Sequence, residues 1–144
     1  MITDKLLRVS DSQALTTTAV STDKVDLSIA RDIGEGENLF MNFALPVALA
    51  GGTSVNFEVV VADDAAISSN VTVVGSSGVI ATAALVAGYN AAVRINPIIG
   101  SLGKRYMAAR YTVVGTYTSG SVIADIVHGI QDGEKSYASG FAVV

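Results

Sequence analysis

From Glu37 onward apolar and polar positions alternate with a period of two, the signature of strands with one buried face. In "ENLFMNFAL" Leu39, Met41 and Phe43 share one face, while Asn38, Phe40 and Asn42 share the other. In "TSVNFEVVVAD" Val55, Phe57, Val59 and Val61 point one way, and Asn56 and Glu58 the other. "RYMAARYTVVG" divides into Tyr106, Ala108, Arg110, Thr112 and Val114 against Met107, Ala109, Tyr111 and Val113. "SVIADIVHG" follows after the turn-rich "TYTSGS", and "YNAAVRI" runs into Asn96-Pro97, which disfavours further pairing. "NVTVVG" and "VIATA" read as two short strands around a Gly75-Ser76-Ser77-Gly78 turn, and "VDLSIA" as an earlier strand before the Gly-rich "DIGEGE".

These runs predict about eight strands with turn signals between them, hence an all-β sandwich or barrel and no βαβ plan. The Thr run in "SDSQALTTTAVS" is a poor helix former. The expected organisation is therefore an N-terminal arm over 1–24, a β-sandwich over 25–130 and a C-terminal tail or edge strand over 131–144, one domain overall.

Composition sharpens the picture. The chain has 144 residues, enough for one domain that buries about 68–70% of its extended surface. Only 15% of residues are charged, against roughly 25% in ordinary soluble domains. A surface so poor in charge is suited to meeting a partner. With no cysteine, disulfides and thiolate metal sites are excluded. No secretory leader is evident and no apolar run approaches membrane-spanning length, so the expectation is a cytosolic protein with no membrane contact.

Charge is unevenly placed. Residues 1–64 hold ten acids against four bases, whereas Ala65 to Ala124 hold only the bases Arg94, Lys104, Arg105 and Arg110. Four dispersed bases in a chain of net charge −4 argue against nucleic-acid binding and suit docking against a complementary neighbour.

Candidate chemistry is thin. His128 is the one imidazole, and Asp125, three residues earlier on a strand, points to the opposite face. Asp63-Asp64 ends a strand without the spacing of a calcium loop. "DIGEGEN" carries acids that would repel phosphate, and no helix follows it. No catalytic residue, metal site or cofactor is expected, and the chain does not read as an enzyme.

The opening "MITDKLLRVSDSQALTTTAVSTDKVDL", then "RDIGEGENLFMNF", "GGTSVNFEVVVAD" and "GKRYMAARYTVVGTYTSGSVIADIVHGIQD" together resemble the capsid cement, or decoration, proteins of short-tailed bacteriophages of the Bordetella-phage type. The resemblance implies a jelly roll on the outer surface of an icosahedral virion head, assembled in the host cytoplasm and bridging major capsid protein subunits. It also implies self-association, as dimers at two-fold positions with a trimer as the alternative. On this reading the arm, with Leu6, Leu7, Arg8 and Val9, contacts the capsid, and Arg94, Lys104 and Arg105 dock electrostatically. The competing reading is a carbohydrate- or receptor-binding β module of a virion.

Overall fold

The computed structural model describes residues 3–28 and 38–129. Among these, nine strands form: β1 (Arg8–Ala14), β2 (Ala19–Val20), β3 (Val25–Asp26), β4 (Phe40–Ala50), β5 (Ser54–Ala62), β6 (Thr72–Ala81), β7 (Asn90–Arg94), β8 (Tyr106–Val114) and β9 (Ser119–Val127). One sheet has the order β1-β9-β4-β7 and the other β2-β8-β5-β6, with β3 also on β8. Every pairing is antiparallel.

The pairs nest: β1 with β9, β2 and β3 with β8, β4 with β7, β5 with β6. A long hairpin paired in that order and then rolled up gives two packed sheets, which is the jelly roll. Sequence alternation drives the rolling, because each strand has one apolar face to bury.

Met41, Phe43 and Leu45 of β4 meet Val55, Phe57, Val59 and Val61 of β5 between the sheets. At the centre Phe43 stacks on Phe57 with ring centroids 5.0 Å apart, and Tyr111 stands edge-on to both at 6.1 Å. A second, smaller cluster lies on the outer face of the β5/β8 sheet. There Ile67, from the loop after β5, covers Val60, Ala62 and Ala108.

Two expectations change. The arm expected over 1–24 is much shorter, because β1 and β2 lie in the sheets and Val9 is buried in the core. Gly75-Ser76-Ser77-Gly78 is no turn: β6 runs through it as one edge strand with two irregularities in its pairing to β5. Gly75 is required there, since a Cβ would lie 2.6 Å from the Arg94 carbonyl oxygen, where β6 crosses β7. The "DIGEGE" loop and the 131–144 tail fall outside the described residues.

Candidate functional site

The chain enters the sandwich through a short, pinned turn. Asp4 Oδ1 accepts from the Leu6 N–H at 2.9 Å, so the acid caps the 3-10 turn Lys5–Leu7. Arg8 then fastens the start of β1. Its Nε donates to Asp125 Oδ1 on β9 and its Nη1 to Asp11 Oδ1, both at 2.8 Å. The two carboxylates, Asp125 first, raise the Arg8 pKa further, so this cation is permanent.

Between the cap and the clamp, Leu6 is 91% exposed and Leu7 45% exposed. Leu6 left in water at a fixed position is unfavourable for an isolated domain, by roughly 1.5–3 kcal/mol of forgone burial, and the half-buried Leu7 adds only part of that. Leu6 and Leu7 are therefore the exposed pair at this corner, while Val9 points inward and serves the core.

The basic candidates separate on inspection. Arg105 meets Asp26 through two parallel bonds, Nε to Oδ1 at 3.0 Å and Nη2 to Oδ2 at 2.9 Å, and lies over the Tyr106 ring. Lys104 donates to Asp63 Oδ1 at 2.9 Å. Each pair holds its carboxylate below the usual range, chiefly through the hydrogen bond itself. Both cations are thus neutralised within the chain.

Arg94, on β7, donates through Nη2 to the side-chain Oδ1 of Asn38, and among the described residues no ion pair with a carboxylate involves it. It borders a cleft of about 410 Å³ with Val74, Asn96 and Pro97. Arg94 lies on β7, at the opposite edge of its sheet from β1, and Lys104 and Arg105 immediately precede β8, whereas the leucines sit beside β1 and β9.

Among the described residues the buried Asn42 Oδ1 has no hydrogen-bond partner, whereas several other polar groups are occupied. Glu58 accepts from Arg110 Nε at 2.7 Å, Thr112 Oγ1 at 2.8 Å and Asn56 Nδ2 at 3.0 Å. Asp64 caps the following loop, accepting from the N–H groups of Ser68 and Ser69. His128 is exposed after β9. Among the described residues no three His, Asp or Glu side chains converge as a metal site.

Several exposed apolar side chains were not signalled by the sequence, among them Val47 on β4, Val73 and Val79 on β6, and Val86. On β6 the alternation that would have shown them is interrupted by the two pairing irregularities.

The fold is a jelly-roll-like antiparallel sandwich whose surface carries exposed apolar side chains, Leu6 among them. The family model of Bbp16 matches residues 9–126, and the chain belongs to that Bordetella-phage protein family. No curated protein matches the chain.

Proposed function

We propose that this protein is a structural component of a phage virion that binds the outer surface of the icosahedral head and stabilises it by bridging major capsid subunits. The observation that carries the reading is the Leu6–Leu7 pair, held in water by the Asp4 cap on one side and the Arg8 clamp on the other. Exposed apolar groups in a fixed geometry lose little conformational freedom on docking, which is the condition for a small contact to bind usefully. Membership of a phage family supports the setting.

The mechanism needs no reactive group. DNA packed in a head pushes outward, and a molecule attached to two neighbouring subunits adds contacts that must break before they separate. Each contact can be weak, because a doubly attached bridge rebinds before both ends are lost. A two-sheet frame suits the task because it transmits load between attachment points without unfolding.

Purified protein added to heads that lack it tests the reading by cosedimentation. The wild type is expected to bind to saturation, and Leu6→Ser with Leu7→Ser to bind at least about tenfold more weakly, the equivalent of losing roughly 1.4 kcal/mol. Failure of the wild type to bind heads overturns the function. Equal binding by the double variant overturns the role of the leucines.

A further inference from the structure

Among the described residues every base but one has an acid at hand. Lys104, Arg105 and Arg110 are each paired with a carboxylate, and Arg8 with two. Lys5 and Lys24 directly follow Asp4 and Asp23. Arg94 is the exception. No acid occurs between Ala65 and Ala124, so β6 and β7 around it are free of negative charge. The acids of its own sheet, Asp11 on β1 and Asp125 on β9, lie beyond β4 and are both held by Arg8.

The backbone fixes the surroundings of this cation. Arg94 ends β7, paired to Phe40, and the next two amides are committed. The Ile95 N–H donates to the Leu39 carbonyl at 2.9 Å, and the Asn96 N–H to the Val74 carbonyl at 3.0 Å. Pro97 then restricts the chain, and β6 closes against β7 at Gly75. These contacts frame the cleft of about 410 Å³ lined by Val74, Arg94, Asn96 and Pro97. Two donor groups border it. Arg94 Nη2 is turned to Asn38 Oδ1, a neutral acceptor that steadies the guanidinium without cancelling its charge, and Nε and Nη1 have no partner among the described residues. Asn96 Oδ1 accepts from the Ile98 N–H at 3.1 Å, which leaves Nδ2 as a donor.

We infer that this cleft is a carboxylate-binding site, and that its occupant is an aspartate or glutamate side chain of the shell subunit on which the protein docks. A guanidinium fork donates to both oxygens of a carboxylate in parallel bonds, as Arg105 does to Asp26 in this same molecule. The Asn96 amide supplies a further donor, and Val74 and Pro97 give an apolar wall for the methylene stem. One cation balances one negative charge, whereas a phosphate group of about −1.5 to −2 would be left uncompensated.

Size and position agree with this occupant. The volume lies at the lower end of ligand sites, about 300–1,000 Å³, which suits a side chain with its flanking peptide. Because Arg94 and Asn96 are set by the backbone before docking, little freedom is lost on binding. β7 and β1 are the opposite edges of one sheet, so this site and the Leu6–Leu7 pair supply the two separate attachment points that a bridge needs. The inference deepens the bridging reading by naming the chemistry of the second contact, and rests on it for the identity of the partner only.

Two measurements test it. In the first, isotope-labelled protein without heads is titrated with N-acetylglutamate methylamide and, separately, with the glutamine analogue, which has the same shape and no charge. The Arg94 Nε–H and Asn96 Nδ2–H resonances are expected to shift saturably with the glutamate probe, half-saturating between about 1 and 100 mM, the range of a single small contact. The glutamine probe should move neither, and Arg105 Nε–H, already held by Asp26, should stay in place. In the second, Arg94→Gln, a surface change that leaves the thermal midpoint in place, should bind heads at least about tenfold more weakly than wild type. Its binding should also depend less steeply on salt.

No saturable shift at Arg94, or equal shifts from both probes or at Arg105, would overturn the site. A saturable shift with head binding unchanged in Arg94→Gln would overturn a shell acid as its occupant. If the wild type fails to bind heads while the glutamate probe still titrates Arg94, the carboxylate site stands and the bridging function falls.

Discussion

The Tyr111 hydroxyl lies 2.6 Å from the Ser10 hydroxyl, joining β8 of one sheet to β1 of the other inside the core. Ser10 in turn donates to Gln13 Oε1, and Gln13 Nε2 donates to the Val20 carbonyl oxygen, which continues the link. A buried phenol with one partner resists ionisation, and burial pushes the Tyr111 pKa well above the ordinary tyrosine value despite the serine bond.

The pH consequence has a definite sign. A raised folded-state pKa means that stability is complete below the unfolded value, about 10, and falls as pH rises beyond it. Tyr111→Phe should cost about 1 kcal/mol near neutrality for the lost hydrogen bond. It should also flatten the alkaline decline, measured as urea unfolding on both sides of about pH 10.

Arg8 is the anchor of the N-terminal turn. Its side chain is 24% exposed, and its partner Asp125 is 4% exposed. Arg8→Ala leaves a nearly buried carboxylate without its cation and should destabilise the fold by roughly 1–3 kcal/mol, less than a fully buried pair would lose. Chemical denaturation measures this. Asp11→Ala, which removes the exposed partner, should lose under about 1 kcal/mol.

The loop after β5 is held by carboxylates. Asp63 is kept below the ordinary range by Lys104 and then Asn70, and Asp64 by the Ser69 N–H and then Ser68. Depressed folded-state values give stability that is present above the unfolded value, about 4, and is lost as pH falls through the folded one. The loop also holds Ile67 at φ 55°, a left-handed conformation that a β-branched residue seldom adopts. Its burial over Val60 and Ala108 offsets that strain. Asp64→Asn should therefore lower the thermal midpoint at neutral pH and shrink the drop seen below about pH 4.

Much of the fold was legible because alternation was clean where both neighbours were present. Val55, Phe57, Val59 and Val61 face inward as their spacing indicated, and Tyr111 falls on the core face of β8 while Tyr106 falls on the other. β1 was not legible. Its inward Ser10 is polar because Tyr111 satisfies it from the opposite sheet, and its pairing slips twice, so no period of two survives. β6 was divided in two for a related reason: its central glycines signal a turn, yet Gly75 serves a close crossing with β7.

The candidate site was legible in part. Leu6 and Leu7 stood out as apolar residues without a strand, and they are exposed. The neutralisation of Lys104 and Arg105 depended on acids 41 and 79 positions away, a relationship only the folded topology creates.

The central claim is mechanical, and survival of heads under osmotic shock tests it most directly. Heads lacking the protein should rupture at milder shock than complete heads. Adding back the wild type should restore survival in proportion to occupancy, and adding the Leu6→Ser, Leu7→Ser variant should not. Equal survival of bare and fully decorated heads would contradict the account.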